Sequence, residues 1–533
     1  MLHLVLLPLL LPASRGFVLD TPCPAPAPCR CDTSVHCERR HLISVPEAVT
    51  TTGTSTFYAL YLNSNGIKVI PKQAFKGYQV SRLDLSHNPV TSLDPEAFSS
   101  LEDTLLELDL ENTSLESIPD SLGALTSLRR LNVRNNSIRN LPADIMAALG
   151  GTLLSLDFSL TSVRYWPSAL SSLTKLKYLD MSHNKVSFLR QGATAAFDNT
   201  LLELRLVNCS FASFQAELSM FKALTLLDIS DNAIKEIPAG ALKAVASTLT
   251  SFKLVRGNLT YLPEAFRDLK VLQEVDLSEN PMISTYNDAL GTGSSYLLSG
   301  SAHSLRTLRL ASCGLVAVPR ALQGLDALKE LDLTGNGIVT LNNYQFDSLV
   351  SLEKLYLRGN PLSTVPYKTF SGLSSLCMLD MSDGRLTYTP SSALGEMPAL
   401  IQLDLSNNRI SALLDNSFPK SPSLTTVDLS YNSISNITDL AFQGATAVQT
   451  LKMNGCSLTN IPRSLRLAYG LRSVYLDKNQ IPCTCRSMGW IKTWKLSAGL
   501  IPHLFGQCSN DAILSIDTYI SIMLGGCDVA IGR

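Results

Sequence analysis

One repeated frame, L-x-x-L-x-L-x-x-N-x-L, places apolar residues at fixed positions along most of the chain. Its clearest copies read "LTLLDISDNAI", "LKELDLTGNGI", "LIQLDLSNNRI" and "LTTVDLSYNSI". Eighteen copies occur, and their first residues are Phe57, Val80, Leu105, Leu128, Leu153, Leu176, Leu201, Leu224, Leu249, Leu272, Leu305, Leu328, Leu352, Leu376, Leu400, Leu424, Val448 and Leu471. Such regularity predicts a repeat architecture rather than several separate domains.

Each copy predicts one short strand, because leucine and polar residues alternate at frame positions 3 to 7. Most strands follow one another after 23 to 25 residues, so they pair in parallel and each coil returns across the far side. One coil cannot bury its leucines alone, and stacked neighbours supply the core. The sequence therefore predicts a curved solenoid with a parallel sheet on its concave face.

The frame resembles the leucine-rich repeat family over residues 57–481. The resemblance implies an α/β fold: a horseshoe-shaped leucine-rich repeat solenoid of about 18 repeats, with a parallel β-sheet on the concave face and a disulfide cap at each end. From Phe57 to Leu272 the steps alternate between 23 and 25 residues. This finer pattern resembles the paired repeats of chaoptin-like extracellular adhesion proteins.

Eight of the twelve cysteines flank the repeats, in segments 17–56 and 482–533. Each end coil exposes leucines that another coil would cover, so both ends need a cap. Four cysteines allow three connectivities, and a zinc site is the alternative for either set, which an oxidising compartment disfavours. The sets resemble the disulfide caps of extracellular leucine-rich solenoids, and the resemblance implies the pairs Cys23–Cys31, Cys29–Cys37, Cys483–Cys508 and Cys485–Cys527.

Frame position 9 is usually Asn, which we expect to point inward and bond backbone groups of neighbouring coils. Several copies carry another residue there, namely Thr113, Thr161, Cys209, Gly257, Cys313, Gly384 and Cys456. We predict that the three cysteines in this set are buried, reduced residues of the same ladder, since a small thiol can still donate. The alternative is a reactive thiol. Cys377, at position 2, has no assigned role.

The ends and composition predict a secreted, extracellular chain. Residues 1–16, "MLHLVLLPLLLPASRG", resemble a signal peptide cleaved after Gly16, and no further membrane span or lipid-anchor signal is evident. A net charge of -1 without runs of like charge argues against a nucleic-acid partner. No catalytic motif occurs, and His87 and His183 should lie about 19 Å apart, too far to share a metal. We therefore predict no enzyme activity, no metal and no cofactor.

Two further features bear on binding. The 33-residue step from Leu272 to Leu305 indicates an insert near residues 286–302, either a tolerated surface loop or a binding element. Five N-glycosylation sequons lie at Asn112, Asn135, Asn208, Asn258 and Asn436. The first three occupy frame position 8, where glycans would crowd the concave face of the N-terminal half.

Frame position 5 carries an aspartate in ten copies, which are Asp84, Asp109, Asp157, Asp180, Asp228, Asp276, Asp332, Asp380, Asp404 and Asp428. A cation-binding spine is one interpretation; a structural role in the repeat is the favoured one. Arg205, Lys253 and Arg309 alternate with aspartates on successive coils, and we expect that stretch of sheet to neutralise itself.

The C-terminal coils carry the candidate ligand-binding residues, because Tyr, Met and Arg are enriched at interfaces and no sequon lies on this face. The set is Lys354, Tyr356, Arg358, Met378, Arg385, Arg409, Tyr431 and Tyr475. Together with the family resemblance, it predicts a secreted module for recognition or adhesion that binds a protein or glycan ligand. The alternatives are a self-associating matrix protein and the ectodomain of a receptor; the ligand and the oligomeric state stay open.

Overall fold

The repeated frame forms coils throughout the residues that the computed structural model describes, which are 23–49, 57–282, 297–498 and 501–527. The predicted signal peptide and most of the predicted insert lie outside these residues. The chain divides into two units, Met1–Leu202 and Glu203–Arg533.

In the first unit, short strands pair in parallel from coil to coil. The N-terminal cap contributes a small antiparallel hairpin, β1 and β2, and β2 then pairs in parallel with the first repeat strand, β3. The parallel pairing continues through β5, β7, β8, β9 and β10, while β4 and β6 form a separate two-stranded sheet. The strands are β1 Arg30–Cys31, β2 Val35–His36, β3 Phe57–Tyr61, β4 Val69–Ile70, β5 Val80–Asp84, β6 Ser92–Leu93, β7 Glu107–Asp109, β8 Arg130–Asn132, β9 Ser155–Asp157 and β10 Tyr178–Asp180.

The second unit repeats this plan over thirteen parallel strands, from β11 to β19 and on through β21, β23, β24 and β25. Two smaller pairs, β20 with β22 and β26 with β27, lie outside this sheet. The strands are β11 Glu203–Arg205, β12 Leu226–Asp228, β13 Ser251–Lys253, β14 Glu274–Asp276, β15 Thr307–Arg309, β16 Glu330–Asp332, β17 Lys354–Tyr356, β18 Met378–Asp380, β19 Gln402–Asp404, β20 Ala412–Leu413, β21 Thr426–Asp428, β22 Asn436–Ile437, β23 Thr450–Lys452, β24 Ser473–Tyr475, β25 His503–Phe505, β26 Gln507–Cys508 and β27 Asp511–Ser515.

Helical turns occupy the return segments and the C-terminal cap. The α-helices are α1 Ala143–Leu149, α2 Ser391–Leu394, α3 Cys485–Met488, α4 Trp490–Ala498 and α5 Ile516–Thr518. The 3₁₀ turns are Asp120–Ala124, Ser168–Ser172, Ala216–Met220, Lys243–Val245, Glu264–Asp268, Ser299–Ser301, Arg320–Leu322, Arg463–Leu467 and Leu524–Gly526, and Tyr519–Met523 forms a π-turn. Prolines precede several of these turns, which suits a segment that needs a fixed φ but no further amide donor.

The core of each unit consists of leucine rows that run from coil to coil. Leu83 and Leu108 are opposite one another on neighbouring strands and are almost fully buried. On the return side, phenylalanines one coil apart stack on each other, with ring centroids 5.6 Å apart for Phe75–Phe98 and 5.5 Å for Phe418–Phe442. A fully buried side chain of this size contributes about 1.5–3 kcal/mol, so the repeated rows dominate the stability of both units.

The predicted asparagine ladder is present. The Asn88 amide donates to Leu62 O of the preceding coil at 2.9 Å and to Leu85 O of its own coil at 3.0 Å, and its Oδ1 accepts from Ile67 N at 3.1 Å. The same pair of amide bonds recurs at Asn136, Asn184, Asn232, Asn280, Asn336, Asn360, Asn408, Asn432 and Asn479.

Cysteines at frame position 9 belong to this ladder, as predicted. Cys209, Cys313 and Cys456 are buried and lie outside the four disulfides. The Cys313 and Cys456 thiols each donate, over 3.2 Å, to the preceding-coil carbonyl that an asparagine would contact. Burial raises the pKa of both thiols to about 11, so they stay protonated and unreactive at neutral pH. Cys377 is half-buried, and its thiol donates to Glu353 O at 3.1 Å.

Frame position 8 has a left-handed backbone in all eighteen copies. The residues, with φ between 50° and 70°, are Ser64, His87, Asn112, Asn135, Leu160, His183, Asn208, Asp231, Arg256, Glu279, Ser312, Gly335, Gly359, Asp383, Asn407, Tyr431, Gly455 and Lys478. This turn directs position 9 inward while its own side chain lies at the rim of the sheet. Because ladder bonds fix the backbone on both sides, even leucine and arginine adopt a conformation that usually favours glycine or asparagine.

Both caps contain disulfides. The pairs Cys23–Cys31, Cys29–Cys37, Cys483–Cys508 and Cys485–Cys527 are those that the family resemblance implies. In the C-terminal cap, Thr484 caps α3 by accepting from Ser487 N at 3.2 Å. The Lys492 ammonium donates to Gly525 O and Cys527 O at 3.3 and 3.1 Å, which ties α4 to the last disulfide.

Candidate ligand-binding surface

The aspartates at frame position 5 have a structural role. In all ten, the carboxylate Oδ1 accepts the backbone N–H two residues further on, at 2.8–3.0 Å. Such a turn ends the strand and satisfies an amide that leaves the sheet. The structural interpretation of this row therefore holds in both units.

The middle of the second sheet is neutralised, but through different partners from those predicted. Arg205, Lys253 and Arg309 do lie opposite aspartates in the register. The ion pairs, however, run to glutamates at frame position 3: Glu274 contacts Lys253 at 3.2 Å and Arg309 at 2.9 Å, and Glu330 contacts Arg309 at 2.8 Å and Lys354 at 3.7 Å. The aspartates already use an oxygen for their turns, which leaves the longer glutamates to reach the cations. Arg205 pairs with Glu203 of its own strand.

The Glu274 carboxyl shows the consequence of this network. Burial alone would raise its pKa, but the neighbouring Lys253 and Arg309 cations and the Ser251 hydroxyl lower the pKa below its usual value. The network therefore stays fully charged over the physiological range and offers few free charges to a partner. Lys354, a predicted ligand residue, lies at its end.

Four predicted ligand residues lie on the sheet strands. Lys354 and Met378 are directly opposite one another on β17 and β18, and Tyr356 follows on β17 opposite Asp380. Tyr475 lies on β24, five strand spacings from Tyr356, or about 24 Å at 4.8 Å per strand. Burial, together with the Glu330 carboxylate, raises the pKa of Tyr356, so its phenol stays a hydrogen-bond donor.

The other four lie off the strands. Arg385 and Arg409 occupy loops five residues beyond the ends of β18 and β19, where both are exposed. Arg358 lies two residues beyond β17, and its Nε donates to Asp383 at 2.7 Å. The alternation that places side chains on the sheet ends at position 7, so residues at position 10 face outward from the loop rather than over the sheet.

Tyr431 lies at the rim and makes a contact two coils away. The Lys478 ammonium donates to its hydroxyl at 3.0 Å and lies 5.3 Å from its ring centroid. Between them, Gly455 has φ of 60°, and a Cβ there would come within 2.8 Å of the Tyr431 ring. Glycine thus allows the ring to lie flat along the rim, where it is 46% exposed.

Sequence reasoning missed the last strand of the sheet. β25 pairs in parallel with β24, so that His503 lies opposite Ser473 and Phe505 opposite Tyr475. The Tyr475 and Phe505 rings stack with centroids 4.8 Å apart, and His503 lies 6.0 Å from Phe505. The segment "IPHLF" does carry the apolar spacing of frame positions 1 and 4, which could have revealed this strand.

Between the two tyrosines, three aspartates follow one another on β18, β19 and β21. Asp428 pairs with Lys452 at 3.3 Å, whereas Asp380 and Asp404 have no ion pair in the described part of the chain. Burial and the flanking carboxylates of Asp380 and Asp428 raise the pKa of Asp404. This region, which we call the open face, is defined by Tyr356, Asp380, Asp404, Asp428, Tyr475 and Phe505. It contrasts with the neutralised stretch before it.

All five sequon asparagines are exposed. In the first unit, the Asn135 amide donates to Asn112 Oδ1 at 3.0 Å, and Asn112 Nδ2 lies 2.8 Å from His87 Nδ1. In the second unit, Asn208 and Asn258 lie on coils well before the open face. Asn436 belongs to β22, away from the main sheet.

One family model with the description "Leucine rich repeat" matches this chain at residues 55–104, 79–138, 303–362, 360–410 and 422–481. A second model with the same description matches residues 172–187. Together the matches cover about half of the chain, and the coils, ladder and caps agree with them. The chain belongs to the leucine-rich repeat family. The finer resemblance to chaoptin-like proteins stays a prediction.

Curated relatives of this leucine-rich repeat chain match over one segment. Leucine-rich repeat-containing protein 3 of Danio rerio is 34% identical over 100 residues, which is 18% of this chain and 36% of that protein. Leucine-rich repeat-containing protein 3B of Homo sapiens is 33% identical over 98 residues, or 17% and 36% respectively. The chain thus spans about a third of the length of these relatives.

Solved structures share the leucine-rich repeat fold at low identity. A leucine-rich repeat protein of Leptospira interrogans has a TM-score of 0.53 and 22% identity, covering 84% of this chain and 94% of its own. The mouse RP105/MD-1 complex has a TM-score of 0.56 and 17% identity, covering 92% and 98%. Both likenesses concern the fold.

None of the helices in the described ranges is long and apolar enough to cross a membrane. Within those same ranges, no group of three or more His, Cys, Asp or Glu side chains is placed to hold a metal ion.

Proposed function

We propose that this chain acts outside the cell as a recognition module that binds a protein ligand on the open face. The observation that carries the proposal is the change along the sheet of the second unit. A stretch whose charges pair with one another gives way to one in which Asp380 and Asp404 have no ion pair among the described residues. Stacked rings lie at the end of that second stretch. Unpaired charge and exposed aromatic surface are what a partner can use, and paired charge is not.

The dimensions of the open face suit a protein partner. From β17 to β25, seven strands with six spacings extend about 29 Å, which is comparable to the width of a standard interface of roughly 800 Å² per partner. Aromatic side chains at such surfaces often contribute 2 kcal/mol or more. The mouse structure with this fold was solved as the RP105/MD-1 complex, which is in keeping with a protein partner.

The proposed extracellular setting is supported by the four disulfides, since such bonds persist in oxidising compartments. Recognition rather than catalysis is proposed because the open face holds no nucleophile beside a base. Its aspartates are engaged in turns, and burial raises the pKa of Tyr356.

The test begins with affinity capture from extracellular fluid by the purified chain, followed by mass spectrometry. Binding of the captured protein is then measured for single Ala variants of Tyr356, Tyr475 and Phe505. The matched controls are Arg205→Ala and Lys253→Ala in the neutralised stretch. We expect at least a tenfold affinity loss for two of the three aromatic variants and under threefold for the controls. Larger losses for the controls would place the binding surface elsewhere.

The competing function is a self-associating matrix protein. Light scattering over a concentration series separates the two, since the recognition module should remain a monomer. Concentration-dependent oligomers that dissociate in the Phe505→Ala variant would assign the open face to self-association.

A further inference from the structure

The C-terminal end of the chain carries an uneven charge that the net value of -1 conceals. Residues 443–510 contain one acidic residue, Asp477. Over the same segment there are eight basic residues, which are Lys452, Arg463, Arg466, Arg472, Lys478, Arg486, Lys492 and Lys495. Lys452 pairs with Asp428, which leaves seven basic residues against one acidic residue. Such an excess on a few coils creates a local positive potential that reaches about a Debye length, or ~8 Å, into physiological saline.

Part of this charge forms a regular row. The segment after Pro462 consists of successive three-residue turns, in which Leu465 N donates to Pro462 O, Ala468 N to Leu465 O, and Leu471 N to Ala468 O, at 3.1–3.2 Å. The first of these turns is the 3₁₀ helix Arg463–Leu467. Within this helix, side chains three residues apart are eclipsed, with about 6 Å between them, as for Arg463 and Arg466. At Ala468 ψ is 78°, so the backbone leaves the helix there, and Tyr469 and Arg472 follow on the next turns.

The row that faces outward consists of Arg463, Arg466, Tyr469 and Arg472, all exposed, with Tyr469 at 79%. In the part of the chain that the structure describes, none of these three arginines forms an ion pair with an acid. We call these four residues the basic row. It lies on the return segment that leads into β24, outside the open face.

The same backbone path occurs in other coils, where it carries no such charge. In one earlier coil, the bonds Leu170 N to Pro167 O, Leu173 N to Leu170 O, and Leu176 N to Leu173 O repeat the pattern. The outward residues there are Ser168, Ser171, Thr174 and Lys177. Since the fold needs only the buried residues of this path, the three arginines and the tyrosine are not explained by structure.

We propose that the basic row binds a sulfated polysaccharide chain. Guanidinium groups pair with sulfate oxygens through two parallel N–H donors, and a succession of them along one exposed segment suits a linear polymer that repeats its anionic groups. The Tyr469 ring, between two arginines, offers an apolar face to a sugar ring while its hydroxyl stays in water. A single tyrosine offers little apolar surface to a bilayer, so a lipid surface would be bound mainly through the charges.

The test measures binding of the full chain to immobilised heparin by surface plasmon resonance in 150 mM NaCl. Fully desulfated heparin and vesicles containing phosphatidylserine serve as competing probes. The loss variant is Arg463→Ser, Arg466→Ser and Arg472→Ser together. Its matched control removes three exposed arginines elsewhere, by Arg129→Ser, Arg139→Ser and Arg164→Ser. We expect a Kd at least tenfold weaker and a shallower salt dependence for the loss variant, with under threefold change for the control.

A gain variant distinguishes loss of the binding residues from misfolding of the loss variant. Ser168→Arg, Ser171→Arg, Thr174→Tyr and Lys177→Arg place the basic row on the equivalent path of the earlier coil. Added to the loss variant, they should restore heparin binding to within about threefold of the parent chain. The proposal would be overturned if the parent chain did not bind heparin, or if the loss variant and its control lost affinity equally. It would also be overturned if the gain variant failed to restore binding, or if the chain bound desulfated heparin or vesicles more tightly than heparin.

Discussion

Asp109 offers a test of how buried carboxylates limit the stability of the first unit. Burial raises the pKa of Asp109 from 3.8 to about 6, and the carboxylate of Asp84 on the adjacent strand adds to the rise. Its Oδ1 accepts from Glu111 N at 2.9 Å and from Asn132 Nδ2 at 3.1 Å. An asparagine at 109 would keep both acceptor bonds without the charge, as Asn132 already does in the next coil by accepting from Arg134 N.

The magnitude follows from linkage. The folded state holds its proton more tightly than the unfolded chain, so the favourable contribution is complete below about pH 3.8 and is lost as pH rises through about 6. At 1.36 kcal/mol per pKa unit, the loss at pH 7.5 is at most about 3 kcal/mol. Because the side chain keeps part of its surface in water, we expect Asp109→Asn to stabilise by about 1–2 kcal/mol at pH 7.5. At pH 4 the gain should be below about 0.5 kcal/mol.

The assay is hydrogen exchange by mass spectrometry on peptides that cover β7 and β8, because repeat proteins unfold locally and a global midpoint would dilute the effect. The reverse change, Asn132→Asp, puts a carboxylate between Asp109 and Asp157 and should destabilise more at pH 7.5 than at pH 4. Asp332→Asn is the control, since its register neighbours are Arg309 and Tyr356. A destabilised Asp109→Asn chain, or a gain that does not change with pH, would refute the reasoning.

Further predictions concern the ladder and the thiols. Denaturation without reductant should allow alkylation of four cysteines per chain, as counted by intact mass; a larger number would contradict the disulfide caps. Cys313→Ser should destabilise less than Cys313→Leu, by about 1–3 kcal/mol in urea denaturation, since the hydroxyl can still donate to Leu277 O. Asn360→Ala removes two donor bonds and one acceptor and should cost about 3 kcal/mol or more, against under 0.5 for Asn140→Ala, an exposed residue whose backbone is not left-handed. Similar losses at both positions would contradict the ladder's role.

The solenoid could be predicted because its cause is local and repeated. Leucine spacing sets the strands, and the inward asparagine sets the turn after each strand, so the sequence shows both directly. The burial of Cys313 and Cys456 was predictable on the same ground, since both occupy the inward frame position 9. A thiol at that position can donate to the backbone carbonyl that asparagine would contact.

The candidate surface was less predictable, because it depends on the lengths of side chains and on which charges pair, and the repeat period of the sequence reveals neither. Which carboxylate reaches Arg309 depends on Asp332 being held in its own turn, a choice that alternation of charge does not reveal. β25 was missed because the cap helices separate it from β24, so it falls outside the regular spacing. The left-handed turn at frame position 8 carries only a partial residue signature: Asn, Asp, His or Gly occupies it in eleven copies, but Leu160 and Arg256 adopt it as well.

The two proposed surfaces belong to the same last coils yet occupy different parts of them. The open face uses the strand residues, whereas the basic row uses the return segment, whose exposed residues end at Arg472 just before β24 begins at Ser473. A polysaccharide held along the row would leave Tyr475 and Phe505 uncovered, and it would raise the local concentration of a basic ligand drawn to the same polymer. If both proposals hold, heparin should leave the affinity of a captured protein unchanged or raise it. Direct competition between the two would mean that they share one surface.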